Sequence, residues 1–149
     1  MKKIYFIALF CCSLVNTAQK STADTLIYTT TDVAPSYPQG YQALYSFICA
    51  NVSVPVSEIP TEKNKNTVFI KFVVEKDGST SNYEIMKGIN KTCDAEAMRV
   101  IKLMSNWNPG GTTKYNKFQP LRMYMTIPIK FFQNFSACEA SYNQIFTKK

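Results

Sequence analysis

Period-two alternation is the clearest signal along the chain. From Asn66 to Lys76, Val68, Ile70, Phe72 and Val74 alternate with Phe69, Lys71, Val73 and Glu75, which predicts a strand with one strongly apolar face. Asp77-Gly78 follows as a turn pair that tolerates positive φ, so Ser79 to Gly88 is expected to return antiparallel with Tyr83 and Ile85 inward. The same alternation recurs from Arg122 to Phe132, where Met123, Met125, Ile127, Ile129 and Phe131 face the core. Pro128 lacks an N–H, so this strand belongs at an edge with the proline nitrogen turned away from its neighbour.

Two segments carry helical periodicity instead. From Tyr41 to Val52, after Gln39-Gly40, the residues Leu44, Phe47 and Ile48 form a stripe flanked by Ala43 and Ala50, and Pro55 and Pro60 bracket the irregular connection that follows. Cys93, Ala97, Val100, Ile101 and Met104 share one face of a second helix, with Thr92 or Asp94 as cap candidates and Trp107-Asn108-Pro109-Gly110-Gly111 as its stop. Both helices need an apolar sheet face. The expected fold class is therefore α+β, a three-stranded antiparallel or mixed sheet in the order 2-1-3 with two helices packed on one face. The connection through the second helix is expected to be a right-handed crossover.

The N-terminus bears on the compartment. Met1-Lys2-Lys3 precedes an apolar run of about twelve residues, Ile4 to Val15, and then Asn16-Thr17-Ala18, which is the layout of a secretory signal peptide. We expect residues 1–18 to be removed and the mature protein to be periplasmic; an uncleaved N-terminus anchored in the inner membrane is the alternative. Residues 19–35, rich in Ser, Thr and Asp, are expected to form a linker that can add a short strand at its apolar patch, Leu26-Ile27-Tyr28. Residues 36–132 then form one domain, and residues 133–149 a tail without clear periodicity.

Composition narrows the function. The chain has 17 basic and 10 acidic residues, and loss of Lys2 and Lys3 would leave a formal charge of about +5. The lysines are scattered, so no nucleic-acid partner is expected. The sequence holds no histidine, which removes the commonest general base and metal ligand. Asp77 is accounted for by its turn, and Asp94, Glu96 and Arg99 by capping and solvent roles. No metal-ligand spacing or phosphate loop is evident, and neither an enzyme nor a cofactor is expected. Cys49, Cys93 and Cys138 remain after cleavage, an odd number from which at most one intramolecular disulfide can form; the spacing leaves all three pairings open, and the stripe position of Cys93 favours a buried thiol. Trp107 reads as an aromatic lid over the core at a helix end, and Phe69, Tyr124 and Phe132 as candidates for the uncovered sheet face.

Taken in order, several motifs resemble the C-terminal domain of TonB-family energy transducers over about Tyr37 to Phe132. They are Tyr37-Pro38-Gln39-Gly40 with Ala43-Leu44 and Phe47-Ile48, Phe72-Val73-Val74-Glu75-Lys76-Asp77-Gly78-Ser79, Asp94-Ala95-Glu96-Ala97-Met98-Arg99-Val100-Ile101, Trp107-Asn108-Pro109-Gly110, and Pro120-Leu121-Arg122 with Thr126-Ile127-Pro128-Ile129-Lys130-Phe131. Gln39 departs from the second position of the family's usual glycine pair. The resemblance implies a non-enzymatic module that binds an extended segment of an outer-membrane TonB-dependent receptor, or of another envelope protein, by strand addition to an exposed sheet edge. With Pro128 turned outward, Arg122, Tyr124, Thr126, Pro128 and Lys130 are the expected partner-facing positions. The sequence shows neither a motor-engaging membrane helix nor a long Pro-rich span, so an adaptor, competitor or complex subunit is expected rather than a complete transducer. A structural or regulatory protein that self-associates as a homodimer is the second reading.

Overall fold

The computed structural model describes residues 25–62, 65–104 and 106–147. The expected signal peptide lies outside the described residues. The elements run α1 (Gly40–Asn51), a 3₁₀ turn (Val56–Glu58), β1 (Thr67–Val74), β2 (Thr80–Lys87), α2 (Lys91–Leu103), β3 (Gly111–Lys114), β4 (Lys117–Pro120), β5 (Met123–Lys130) and α3 (Phe135–Thr147).

Val68, Ile70, Phe72 and Val74 of β1 are all fully buried, so this strand must lie at the centre of the sheet. It does: the order is β2-β1-β5, antiparallel at both seams. Since β5 is the third long strand, this is the expected 2-1-3 arrangement in an α+β fold. The β1–β5 ladder runs without a slip from Thr67 opposite Lys130 to Val74 opposite Met123. The β1–β2 ladder is interrupted between Phe69 and Ile70 and between Lys71 and Val73. Leu44 and Ile48 of α1 and Cys93, Ala97, Val100 and Ile101 of α2 join the β1 face, with Ile127, Ile129 and Phe131, in one core.

The β1–β2 turn is wider than a two-residue hairpin. Glu75 N–H donates to the Ser79 carbonyl at 2.8 Å and Gly78 N–H to the Glu75 carbonyl at 3.0 Å, leaving Lys76-Asp77-Gly78 as the loop. Only Gly78 takes the left-handed conformation, at φ 84°, as the three-residue hairpin loop demands. Asp77 accepts from both the Ser79 N–H (2.9 Å) and its hydroxyl (2.6 Å), which fixes the turn and holds the carboxyl below its ordinary pKa. The loop docks on the end of α2's connection through Trp107 N–H, 3.0 Å from the Gly78 carbonyl.

Two expectations need correction. The cap of α2 is Asn90, whose side chain accepts from Cys93 N–H at 2.8 Å, rather than Thr92 or Asp94. Asp94 reaches back to Ile89 N–H at 2.8 Å, so it secures the helix entry from inside the first turn. Ile85 pairs opposite Ile70 yet is 37% exposed, because β2 is an outer strand with no further strand beyond it. The segment after residue 24 pairs at Tyr28, within the apolar patch expected to add a short strand, and its pairing continues beyond that patch. Its backbone bridges Tyr28 to Met123, Val33 to Gly111 and Ser36 to Asn108, forming a strap along the domain.

Trp107 closes the core, as expected of a lid. It is almost wholly buried, with ring centroids 5.3 Å from Tyr37 and 5.5 Å from Phe72, both edge-on. Its indole N–H has no hydrogen-bond partner among the described residues. A Cβ added to Gly78 would collide with the Trp107 carbonyl oxygen, so Gly78 is constrained by both its φ and its neighbour. Gly78→Ala is expected to destabilise the fold by at least about 2 kcal/mol, more than a positive-φ penalty alone, as read from the urea midpoint at constant m-value.

Candidate protein-interaction edge

The free margin of β5 follows from its pairing. Phe131 N–H donates to Asn66 O at 2.8 Å, so odd-numbered residues of β5 bond inward to β1 and even-numbered ones point their backbone groups outward. Pro128, which has nothing to donate, sits at an outward position. The side chains obey the same alternation: Met123, Ile127 and Ile129 are buried, whereas Tyr124 and Thr126 are exposed.

The five expected partner-facing positions are not equivalent. At the start of β5 the strap already occupies the margin: Tyr28 N–H donates to Arg122 O at 2.8 Å, and Tyr124 N–H donates to Tyr28 O at 3.0 Å, a parallel bridge. At the far end Lys130 N–H points to the Tyr142 hydroxyl of α3, at 3.4 Å. Between them, the outward N–H and C=O of Thr126 and the C=O of Pro128 have no partner among the described residues.

Arg122 is engaged through its side chain as well. Its guanidinium meets both Glu75 carboxylate oxygens, Nε to Oε2 at 2.6 Å and Nη2 to Oε1 at 2.9 Å, and Ser81 donates to the same carboxylate at 2.5 Å. That fork joins the start of β5 to the β1–β2 turn, and it holds the Glu75 carboxyl below its usual range. On the outer face of the sheet Glu84, Lys71 and Tyr124 line up across three strands, with Lys71 Nζ 2.5 Å from Glu84 and 5.3 Å from the Tyr124 ring centroid. Phe69, also expected on that face, is half-buried, and Phe132 packs against α3.

The tail is a helix, and it is what closes the far end of the margin. Asn134 caps α3 by accepting Ala137 N–H at 2.8 Å. Cys138 forms a disulfide with Cys49 of α1 across 89 residues of sequence, leaving Cys93 as a free, buried thiol whose pKa burial pushes up. Beside the disulfide, Tyr142 stacks on Tyr45 with centroids 4.0 Å apart and meets Phe132 edge-on at 6.0 Å. Tyr142 is 6% exposed, and burial raises its pKa to about 12.

The other acidic candidates are structural. Glu96 accepts from Ser53 N–H at 2.7 Å and from Arg99, which in turn donates to the Asn51 carbonyl at 2.6 Å, so the pair ties the end of α1 to α2. No group of His, Cys, Asp or Glu among the described residues could hold a metal ion, and no helix among them is long and apolar enough to cross a membrane.

With this geometry in place, comparison with protein families is informative: residues 61–132 match the family described as Gram-negative bacterial TonB protein C-terminal. This segment of the chain belongs to that family. The match spans the sheet, α2 and the whole of β5, and it ends where α3 begins, so the disulfide-held helix lies outside the matched segment. No curated protein and no solved structure matches the chain. The TonB C-terminal assignment makes this an envelope protein-interaction module.

The tail contacts generate two expectations. Because Tyr142 is more acidic unfolded, at about 10, than folded, at about 12, its contribution to stability is complete below pH 10 and disappears as pH rises to 12. An absorbance titration of the tyrosines should show one phenol ionising late, together with cooperative loss of near-UV dichroism. Cys138→Ser should cost about 2–4 kcal/mol of stability and speed hydrogen exchange at Lys130 relative to the amides of β1.

Proposed function

We propose that the unpaired stretch of β5 around Thr126 receives an extended segment of an outer-membrane TonB-dependent receptor, or of another envelope protein, in TonB-dependent transport or its regulation. The observation that carries this reading is the pair of backbone-exposing residues, Thr126 and Pro128, left without a partner on an exposed edge of a TonB C-terminal sheet. Main-chain pairing would supply affinity there, and Tyr124, Thr126 and Lys130 would supply side-chain selectivity. Export to the periplasm, as the N-terminal pattern suggests, places the edge where such segments are found.

The strap sets the terms of binding. A partner confined to the gap between Tyr28 and Tyr142 pairs over about three residues, which is too few for a lasting ladder. Replacing Tyr28 exchanges two strap hydrogen bonds for two partner hydrogen bonds at little net cost, while each new bond at Thr126 or Pro128 adds about 0.5–1.5 kcal/mol. The partner is therefore expected to displace the strap and extend along β5 toward Arg122.

The test is titration of a labelled peptide copied from the periplasmic extended segment of a receptor. Thr126→Pro deletes an outward N–H at a position where proline is tolerated, and it should weaken binding about fivefold or more with the melting temperature nearly unchanged. Tyr28→Pro removes a strap donor and should tighten binding. Unaltered affinity in both variants would sink the edge-pairing reading, and a concentration-dependent rise in molecular weight without peptide would favour self-association instead.

A further inference from the structure

The β3–β4 hairpin breaks three local rules within four residues. Its two-residue loop has Tyr115 at φ 50° and Asn116 at φ 58°, so both central positions are left-handed. Asparagine suits that conformation; tyrosine does not, and glycine is the ordinary occupant of such turns. The closing pair is Lys114 opposite Lys117, two like charges directly across the ladder, where opposite charges would stabilise it. Tyr115 is fully exposed, at 101% of its reference area, so its ring gains nothing from packing. Phe118, 43% exposed, lies close over Gly111, and a Cβ on that glycine would meet its ring.

A tip that is strained, self-repelling and aromatic is poorly explained as a connection. Strain of this kind marks positions retained for what they contact. We propose that this tip docks on the surface of an anionic phospholipid bilayer. Every residue from Thr113 to Gln119 is exposed, so the tip is convex and has no wall to enclose a small ligand. A broad, flat, negative surface fits it. Lys114 and Lys117 form no ion pair among the described residues; the Asp32 carboxylate is held at the hairpin's base by the Thr112 hydroxyl at 2.5 Å and Thr113 N–H at 3.4 Å. Both ammonium groups are thus available to lipid phosphates. Between them sits a ring with an apolar body and a polar tip, the side chain that partitions to the headgroup level. Two anchors at the hairpin's base, the backbone bridge of Val33 to Gly111 and the Thr112 hydroxyl donating to the Asp32 carboxylate, would pass this attachment to the strap that covers the start of β5.

The full chain carrying Tyr115→Trp tests this, because its only other tryptophan, Trp107, is buried and provides a fixed background. Vesicles of phosphatidylcholine are compared with vesicles containing about 30% phosphatidylglycerol. The new indole should shift its emission to the blue, and become quenchable by brominated lipid, only on the anionic vesicles. Adding Lys114→Gln or Lys117→Gln should weaken this partitioning about fivefold each, and on the order of thirtyfold together. The readout is local to the tip, so binding through the apolar N-terminal run does not mimic it. No shift on anionic vesicles, an equal shift on neutral ones, or a shift indifferent to both lysines would each overturn the proposal, the last two pointing to plain apolar adsorption.

Discussion

Burial of one face of β1 is the constraint from which the rest follows. Val68, Ile70, Phe72 and Val74 leave no solvent-accessible surface on that face, which requires a helix layer above it and a strand on each side. Three long strands suffice to bury the centre of such a sheet, but three strands also leave two margins. Here the β2 margin belongs to a strand that is exposed over most of its length, and the β5 margin to one that is buried on its core face. The second is the better template for a foreign strand, since a rigid, well-packed strand loses little order when it pairs. An unprotected margin is equally a template for aggregation, and Pro128, the strap and α3 each reduce that hazard while leaving a short opening.

The two covers differ in kind. Tyr28 holds its place by two backbone hydrogen bonds, which any extended peptide can reproduce. Tyr142 is held by a disulfide, by stacking on Tyr45 and by near-complete burial, none of which an incoming strand replaces. The opening is therefore bounded at its Met123 end by contacts of a kind another strand could make and at its Lys130 end by contacts it could not, and the bidentate Glu75–Arg122 pair ties the start of β5 to the β1–β2 turn.

What could be read from residues alone was whatever the side chains encode by period. The alternation in β1 and β5, the stripe of α2, the outward turn of Pro128 and the sheet order all follow from burial patterns. The strap could not be read this way, because its bridges are made by backbone groups that every residue carries. The β3–β4 hairpin escaped because Tyr115-Asn116 is not a recognised turn pair, and α3 because its buried anchors, Cys138 and Tyr142, face a small cluster separate from the main core rather than a broad stripe. The α2 cap was missed narrowly: Asn90 and Asp94 both bond to backbone N–H groups at the helix entry, and only geometry tells the cap from the residue that reaches back.

The same distinction explains why the five outward positions of β5 proved unequal. Parity along a strand fixes which backbone groups face out, and it was right for all of them. It is silent on what the rest of the chain does with those groups. Arg122 and Tyr124 were taken by a segment more than ninety residues earlier, and Lys130 by a helix that follows. Availability of an edge is thus a property of the whole chain, set by long-range contacts whose signals are weakest in sequence. A strand whose own pattern is fully legible can still have most of its margin spoken for, and among the described residues only the stretch at Thr126 and Pro128, which neither cover reaches, keeps its outward backbone groups unpaired.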